Sequence, residues 1–359
     1  MTPDPQGLSL TPLTAWLRAT VPAFDASREC TAALLAGGRS NLTYVVIDAS
    51  GRRWAIRRPP LGHLLPSAHD LGRESKVLDA LYQTGFPVPR PWVLCEDPSI
   101  IGARFLVMDF IDGVVIADHG DAARLTTSQR GFASRLLVEG LAQLHGLDAH
   151  AIGLGDFGRP EGYLARHVRR WGQQWQLTKT RELAGIDMMA AWLADRVTSL
   201  PDDLPRSLVH GDYRMDNVII DPSFESLRAV LDWEMSTLGD PVADLAVALV
   251  YWSQADDRLR RQVPVAQDVT SGPGFWRRDT IVEQYAHLTG LDLGHLGFCL
   301  VLACYKLAVI MESLNFRGLS GQQLGAAKER GEDMDGAVLA LAGLGMNLID
   351  APLVSTLQS

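Results

Sequence analysis

Cysteine is scarce in this chain, and its spacing does not suit metal or redox chemistry. Among 359 residues there are four cysteines, and no two of them form a C-x-x-C pair or another spacing typical of metal ligands. They are Cys30, Cys95, Cys299 and Cys304. The sequence therefore predicts reduced, buried thiols in a cytoplasmic protein.

Positive charge is also in short supply. Lysine and arginine number 33 against 42 acidic residues, which gives a formal net charge of −9 at pH 7. Binding to nucleic acid depends on a basic surface that neutralises phosphates, and this balance does not offer one. We expect no nucleic-acid partner. The charge mildly favours a cationic substrate, although local charge decides that point.

Long apolar segments are nearly absent. The N-terminal sequence MTPDPQGLSLTPL carries Pro and Asp where a signal peptide would have positive charge followed by an apolar run. Residues 298–314 form the one stretch that raises the question of a membrane span, but Lys306 and Glu312 interrupt it. That stretch is more typical of a buried helix, so no membrane partner is expected.

The chain does have the length and apolar content for two hydrophobic cores. Hydrophobic residues make up 47% of the sequence. A chain of this size usually forms two domains or one large bilobal unit. These properties agree with a globular enzyme.

The most informative segment covers residues 207–245. His210, Asp212 and Asn217 form the pattern H-x-D-x-x-x-x-N, which is typical of a kinase catalytic loop. Asp232 stands fifteen residues after Asn217, directly behind a strand-like apolar run. The order and spacing predict an acceptor-facing carboxylate followed by two metal ligands.

This spacing has a physical reason. Transfer of a γ-phosphoryl group needs little covalent help, so a site must orient one hydroxyl and neutralise charge on the phosphate oxygens. An Asp and an Asn five residues apart on one tight loop can face the acceptor and a metal ion together. Mg²⁺ prefers oxygen ligands, which Asn217 and Asp232 supply. Asp212 would then be the base or the hydroxyl orienter.

Each part of the segment also has a bland interpretation. A lone HGD is a turn that contains a histidine, and an Asp before an aromatic residue is common at the end of a strand. Here the parts occur together and in order, with strand-like runs at 207–209 and 218–220 on either side of the loop. Joint occurrence favours the functional interpretation. Asp240, before Pro241, is interpreted as a turn residue.

The segment resembles the aminoglycoside phosphotransferase family of kinase-like small-molecule kinases. It contains HGD where protein kinases have HRD, LDWE in place of DFG, and GDPVADLA downstream. With WAIRRPP nearer the N-terminus, it looks closest to the branch that in some eukaryotic proteins is fused to acyl-CoA dehydrogenase domains. That branch is associated with phosphorylation of hydroxyacyl substrates. The resemblance covers the chain from about residue 30 to residue 315.

This resemblance implies a fold, cofactors and residue roles. The implied fold is α+β, a protein-kinase-like two-lobed architecture with a small β-rich N-lobe and a larger, mainly helical C-lobe. ATP and Mg²⁺ are the implied cofactors. His210 would support the catalytic loop, Asn217 and Asp232 would bind Mg²⁺, and Asp244 would brace the loop.

A glycine-rich turn matches the position of the family's nucleotide loop. Glycines there let backbone N–H groups approach phosphate oxygens, and the candidate residues are Gly37, Gly38, Ser40 and Asn41. The same sequence is also typical of an ordinary hairpin turn.

In kinase-like folds a connector between the lobes contacts adenine through its main chain. This connector is predicted at Met108, Asp109, Phe110 and Ile111. The lobes would divide close to residue 113, into residues 1–112 and 113–359.

Arg57 takes the place of the phosphate-binding lysine of kinases. It ends the run Trp54-Ala55-Ile56-Arg57, which lies where kinases have V-A-I-K. A guanidinium can hold phosphate bidentately without losing its charge, although its geometry differs from that of an ammonium. Arg58 is a possible substitute, but strand alternation points it to the opposite face.

Glu74 is the predicted partner of Arg57. It lies in a helical stretch at 69–82, where apolar residues recur near a helical period. The helix would correspond to the one whose glutamate clamps the phosphate-binding cation. Glu74 could instead be solvated, or pair locally with Arg73 or Lys76.

Two helices are predicted to open the second lobe. The first, at about 128–145, carries a face formed by Phe132, Leu136, Leu137, Leu141 and Leu144, and ends at His145, which is expected to cap or pack. The second, at 161–177, buries an aromatic face. Its opposite side carries Arg166, Arg169 and Arg170, which are either solvated or bind an anionic acceptor such as a coenzyme A ester.

The sequence thus predicts an ATP- and Mg²⁺-dependent phosphotransferase that acts on a hydroxyl of a small molecule. Tyr305, Glu312 and Arg317 are possible pocket residues, with core packing as the alternative for Tyr305. The acceptor could be an aminoglycoside, a hydroxy acid or a hydroxyacyl thioester. A catalytically silent nucleotide-binding regulator is the alternative class, supported by Arg57 alone. Oligomeric state is not predicted.

Overall fold

The N-terminal part of the chain is built on an antiparallel sheet in the computed structural model. The structure describes residues 4–35, 41–61, 70–201, 203–263, 268–319 and 334–350. The chain divides into two units, Met1–Asp112 with Ala229–Glu234, and Gly113–Arg228 with Met235–Ser359.

Five strands form the sheet of the first unit. They are β1 Thr31–Leu34, β2 Leu42–Ile47, β3 Arg53–Arg58, β4 Pro91–Cys95 and β5 Phe105–Asp109. They pair antiparallel in the order β1-β2-β3-β5-β4. Helix α1, Leu10–Thr20, contributes to the same apolar core as Tyr44, Trp54 and Phe105. Because side chains alternate between the two faces of a strand, every second residue of β2 and β3 points into this core.

Helix α2, Leu71–Thr84, has a clear start and stop in the sequence. The carboxylate of Asp70 accepts hydrogen bonds from the backbone N–H groups of Gly72 and Arg73, and Gly85 ends the helix in the left-handed conformation with φ of 77°. Glu74 lies on the buried face with the apolar residues of the helix. The predicted helix began at His69, which lies outside the described residues.

Residues 229–234 belong to the first unit, although the sequence-based division assigned them to the second lobe. Two contacts explain the placement. The N–H of Val230 donates to the carbonyl of Pro87 at 2.8 Å, and the ring of Trp233 packs edge-on against Phe86.

The second unit is mainly helical. Its helices are α3 His119–Ala123, α4 Thr127–His145, α5 Tyr163–Thr178, α6 Ala184–Arg196, α7 Pro241–Tyr251, α8 Arg278–Thr289, α9 Leu296–Leu319 and α10 Met334–Asp350. Four short strands follow α6 and precede α7 in the chain: β6 Ser207–Val209, β7 Val218–Ile220, β8 Leu227–Val230 and β9 Thr237–Gly239. The last two residues of β8 belong to the first unit. The predicted strands at 207–209 and 218–220 are both present. β6 pairs with β9, and β7 pairs with β8.

Helix α4 matches its predicted bounds but differs on one face residue. A capping box formed by Thr126 and Gln129 starts the helix. Leu136, Leu137, Leu141 and Leu144 are buried, whereas Phe132 is 47% exposed. The prediction that Phe132 packs inward was wrong, because the buried face of the helix begins with Ala133 and Ser134 and leaves Phe132 outside it.

Helix α9 confirms the helix predicted from the apolar stretch at 298–314, and at 24 residues it is longer than predicted. It packs against α5, α6, α7 and α10. Its length and composition would allow it to cross a membrane, but 83% of its most apolar window is buried inside the protein. Contact with helices on several sides explains why it is apolar nearly all round.

All four cysteines are buried and unpaired. Burial raises the pKa of each thiol above its ordinary value. The predicted buried thiols are confirmed.

Candidate active site

The predicted catalytic loop lies between β6 and β7 in the second unit. Gly211 has φ of 84°, and a Cβ at this position would come within 2.7 Å of the carbonyl oxygen of Met235. Glycine is therefore required after His210 for both conformation and space. The turn directs the chain into the short 3-10 helix Met215–Asn217, which precedes β7.

Asp244 of α7 braces the backbone of this loop. Its carboxylate accepts hydrogen bonds from the N–H of His210 at 2.6 Å and from the N–H of Gly211 at 2.8 Å. The Nε2 atom of His145 lies 3.2 Å from the same carboxylate, and Nδ1 of His145 lies 2.6 Å from the hydroxyl of Tyr285. Burial disfavours ionisation of Asp244, but these donors hold its pKa below the ordinary value. The bracing contact expected for Asp244 is present, and His145 packs as predicted.

His210 is fully buried, and its ring contacts the loop that it begins. Its Nδ1 atom accepts a hydrogen bond from the N–H of Asp212 at 3.2 Å. This contact agrees with a supporting position rather than one that touches a substrate.

The carboxylate of Asp212 is surrounded by hydrogen-bond donors. Oδ1 accepts from the hydroxyl of Tyr251 at 3.0 Å, and Oδ2 accepts from Nε of Arg214 at 3.2 Å. Burial opposes ionisation, but Arg214 and Lys306 outweigh it and hold the pKa of Asp212 below its ordinary value. The group is therefore an ionised acceptor of hydrogen bonds at neutral pH.

Asn217 is tied to Asp212 through its amide nitrogen. Nδ2 donates to the carbonyl oxygen of Asp212 at 2.9 Å. Because the nitrogen is engaged, the amide oxygen is the atom that could bind a metal ion.

Lys306 of α9 contacts the same loop from another direction. Its Nζ atom donates to the carbonyl oxygen of Gly211 at 2.5 Å, and the side chain is buried. Burial lowers the pKa of Lys306, while Asp212 and Asp244 oppose that shift. A buried ammonium beside the loop adds positive charge near Asp212.

Arg57 lies among three carboxylates in the first unit. Its Nη2 atom lies 2.5 Å from Oδ1 of Asp232 and 3.7 Å from Oε2 of Glu234, and its Nε atom lies 3.1 Å from Oε2 of Glu74. The ion pair predicted between Arg57 and Glu74 is present. Arg58 points to the opposite face and donates to the carbonyl of Ile101, as strand alternation requires.

The electrostatics of this cluster favour a charged arginine. Burial raises the pKa of Glu74 to about 7, with Arg57 opposing that shift and Asp232 and Glu234 adding to it. The carboxylates together raise the pKa of Arg57. Asp232 has φ of 67°, an uncommon conformation for a residue with a side chain.

Only part of the predicted nucleotide loop lies within the described residues. Gly37, Gly38 and Ser40 lie outside them. Asn41 is buried, and its Nδ2 atom donates to Oε2 of Glu234 at 3.1 Å. Glu234 therefore links the end of the glycine-rich turn to the carboxylates around Arg57.

The predicted adenine connector follows the end of β5. Met108 and Asp109 are the last residues of this strand, and Phe110 and Ile111 come directly after it. Oδ1 of Asp109 accepts from Arg52, and Arg53 lies over the ring of Phe110.

The residues predicted to face the acceptor have varied surroundings. Arg166 donates to the carbonyls of Arg159 and Glu161, which ties it to the chain just before α5. Arg169 and Arg170 are exposed on α5.

The α9 candidates divide between the core and the surface. Tyr305 and Glu312 are buried, and Oε1 of Glu312 accepts from the N–H of Thr180 at 2.7 Å. Arg317 is exposed. Tyr305 thus packs in the core, which was its alternative interpretation.

Sequence reasoning missed Tyr251, Lys306, Arg214 and Glu234. Tyr251 and Lys306 stand inside apolar runs, where a polar residue is easily overlooked. A signal was available for Tyr251, since it stands seven positions after Asp244 on one helix.

Comparison with known proteins places these residues within a family. The model of a family described as "Phosphotransferase enzyme family" matches residues 31–277. Acyl-CoA dehydrogenase family member 11 of Gallus gallus is 34% identical over 326 residues, which is 89% of this chain and 40% of that protein. Acyl-CoA dehydrogenase family member 10 of Mus musculus is 33% identical over 85% of this chain and 28% of that protein. The chain thus spans two fifths or less of these two relatives.

Solved structures share the fold. A putative aminoglycoside phosphotransferase from Ralstonia eutropha has a TM-score of 0.77 and 28% identity, covering 95% of this chain and 98% of that one. An aminoglycoside phosphotransferase in ternary complex with AMP-PNP and hygromycin B has a TM-score of 0.59 at 14% identity, over 95% of this chain and all of that one. The second likeness concerns the fold alone. Both confirm the predicted kinase-like α+β fold, and the relatives confirm the resemblance seen in the sequence.

Proposed function

Because the chain belongs to the phosphotransferase enzyme family of small-molecule kinases, we propose that it moves the γ-phosphate of ATP to a hydroxyl of a small molecule with Mg²⁺ as cofactor. The observation that carries this proposal is the ionised carboxylate of Asp212 in a braced loop. Such a group can orient an acceptor hydroxyl and take its proton during transfer.

The loop residues divide the work. Asp212 orients the hydroxyl, and His210 and Asp244 hold the backbone that presents it. Arg214 and Lys306 keep Asp212 ionised, so that it accepts rather than donates a hydrogen bond. Because the bracing contacts are buried, little reorganisation is needed when the acceptor binds.

The donor atoms suit a hard cation. Asn217 offers an amide oxygen, and Asp232 offers a carboxylate that is 27% exposed. Oxygen donors of this kind are those that Mg²⁺ prefers. Bound Mg²⁺ would neutralise charge on the phosphate oxygens. Arg57 carries a permanent positive charge for the α- and β-phosphates, with Glu74 as its clamp.

For the acceptor we favour a hydroxy acid or a hydroxyacyl thioester over a cationic antibiotic. Arg169 and Arg170 are exposed on α5 and would attract an anionic molecule. The names of the relatives in Gallus gallus and Mus musculus refer to acyl-CoA, whereas solved neighbours carry hygromycin B or kanamycin.

The test is transfer of labelled γ-phosphate from ATP, with Mg²⁺, to a panel of aminoglycosides, hydroxy acids and hydroxyacyl-CoA esters resolved by mass. We expect a phosphorylated thioester or hydroxy acid, and its loss in Asp212→Ala. Transfer to an aminoglycoside instead would overturn the acceptor class. Binding of Mg·ATP with no transfer to any hydroxyl, identical in Asp212→Ala, would favour a silent nucleotide-binding regulator.

A charge-reversal pair tests the acceptor surface separately. Arg169→Glu with Arg170→Glu should raise KM for an anionic acceptor and leave KM for ATP unchanged. Arg124→Glu is the control, because Arg124 is also exposed and its ion pair with Asp121 is local.

A further inference from the structure

Helix α7 supports the catalytic loop at two points. The first is Asp244 in its first turn, which accepts from two loop N–H groups. The second is Tyr251, the last residue of the helix, whose hydroxyl donates to Oδ1 of Asp212 at 3.0 Å. Seven positions on a helix are about two turns, so both side chains lie on one face.

We propose that Tyr251 is a positioning residue for Asp212, fixing the carboxylate in the orientation that receives the acceptor hydroxyl. This inference rests on the proposed function and adds a residue to it. Asp244 controls where the backbone of the loop lies, whereas Tyr251 controls the side chain of the residue that faces the acceptor.

The two carboxylate oxygens of Asp212 accept hydrogen bonds from different parts of the protein. Oδ1 is held by Tyr251, and Oδ2 is held by Nε of Arg214, which belongs to the loop itself. Nη1 of Arg214 contacts Asp216 at 2.7 Å, and its guanidinium lies 5.4 Å from the centre of the Tyr251 ring. The phenol is therefore the donor to Asp212 that comes from outside the loop, among the hydrogen bonds of the described residues.

A phenol suits this position because it stays neutral. Burial and the carboxylate of Asp212 raise the pKa of Tyr251 well above its ordinary value, so the hydroxyl keeps its proton. A neutral donor stabilises the ionised carboxylate without neutralising it. Asp212 thus keeps a full negative charge for the incoming hydroxyl.

Several charged groups interact with Tyr251 and Asp212. Arg214, Lys306 and His210 act on Asp212, and Asp212, Arg214 and Asp216 act on Tyr251. They come from the loop and from α9, so a change at Tyr251 leaves each of them in place.

A buried tyrosine hydroxyl usually finds some partner, and that alone does not imply a role. A merely structural contact would affect folding and leave Asp212 unchanged. A positioning contact would alter the carboxyl ¹³C chemical shift of Asp212 and the turnover number, while leaving nucleotide binding unchanged.

The experiment compares Tyr251→Phe with Tyr44→Phe. Tyr44 is buried like Tyr251, and its hydroxyl also donates a hydrogen bond, to the carbonyl of Gln6 at 2.7 Å in the first unit. The measurements are turnover and KM for ATP with the acceptor found in the panel, and the carboxyl ¹³C chemical shift of Asp212 at pH 7 without Mg²⁺, assigned by Asp212→Asn in protein with ¹³C-labelled Asp. Circular dichroism shows that each variant is folded.

We expect Tyr251→Phe to lower kcat about tenfold, to leave KM for ATP unchanged, and to move the carboxyl ¹³C signal of Asp212. Tyr44→Phe should change neither kcat nor that signal. Equal kcat values in the two variants, or an unmoved Asp212 signal in Tyr251→Phe, would overturn the positioning role. The signal needs no acceptor, so it decides the role of Tyr251 even when the proposed transfer reaction fails for wild type.

Discussion

Nη2 of Arg57 lies 2.5 Å from Oδ1 of Asp232, so the cation proposed to hold phosphate contacts a carboxylate proposed to bind metal. Glu74 and Glu234 also form ion pairs with the Arg57 guanidinium. Mg²⁺ and Arg57 would therefore compete for Asp232, and the other two carboxylates would retain Arg57 nearby. An arginine can contact all three because its guanidinium presents donors in several directions.

Arg57→Lys should weaken nucleotide binding even though lysine is the usual residue of kinases. An ammonium is a compact point charge and cannot contact Glu74 and Asp232 as a planar fork does. We expect the Kd for Mg·ATP to rise about tenfold, or about 1.4 kcal/mol, by isothermal titration calorimetry. Arg104→Lys, on the exposed pair with Glu96, is the control. Unchanged affinity in Arg57→Lys would show that the carboxylate cluster does not select arginine.

Glu74 should make stability depend on pH. Burial raises its pKa to about 7 from 4.5, so the folded state holds a proton that the unfolded chain releases between those values. The contribution of Glu74 to stability is present below pH 4.5 and is lost as pH rises through 7. As pH rises from 5 to 8, the free energy of unfolding of Glu74→Gln should increase by about 2–3 kcal/mol relative to that of wild type. Urea denaturation at several pH values measures both free energies. A difference between variant and wild type that does not change with pH would contradict the prediction.

Asp244→Asn should destabilise the second unit. Asn has one acceptor oxygen, whereas Asp244 accepts from two buried N–H groups and contacts His145. Leaving a buried donor unpaired should cost about 2–4 kcal/mol of unfolding free energy. Denaturant titration checks this against Asp97→Asn, in which an exposed carboxylate that accepts from Ser99 is changed. That control should stay within about 0.5 kcal/mol of wild type.

Lys306→Met should separate stability from turnover. Removing a buried ammonium relieves its desolvation cost, which offsets the lost bond to Gly211, so the free energy of unfolding should change by less than about 1 kcal/mol. Turnover should fall about tenfold or more, because Asp212 loses a nearby positive charge. Lys179→Met, on an exposed pair with Glu182, is the matched change on the surface. A stable variant with full activity would exclude Lys306 from the reaction.

The sequence predicted the parts of the site that lie close together in the chain. The H-x-D pattern and its flanking strands are fixed by local spacing. The Arg57 and Glu74 contact was implied by the resemblance to kinase-like folds, and periodicity predicted the helix that carries Glu74. Tyr251 and Lys306 reach the loop from positions 39 and 95 residues away from their partners. For Tyr251 the local signal is its spacing from Asp244 on α7, and for Lys306 packing alone reveals the contact.

Burial of polar groups was the other property that the sequence concealed. Residues 256–268 are mostly polar in the sequence, yet Asp257 and Arg260 are buried there with Arg278. Oδ2 of Asp257 accepts from Nη1 of Arg278 at 2.5 Å. Composition cannot distinguish a solvated charged run from one whose members pair with a distant helix.

The four buried cysteines make this chain convenient for site-specific labelling. Their thiols are inaccessible and have raised pKa values, so maleimide reagents should not react with them at neutral pH. One cysteine introduced at Leu177, which is 73% exposed, would then be the reactive thiol for a fluorophore or spin label. Such probes could report motion in solution without removal of any native side chain from the core.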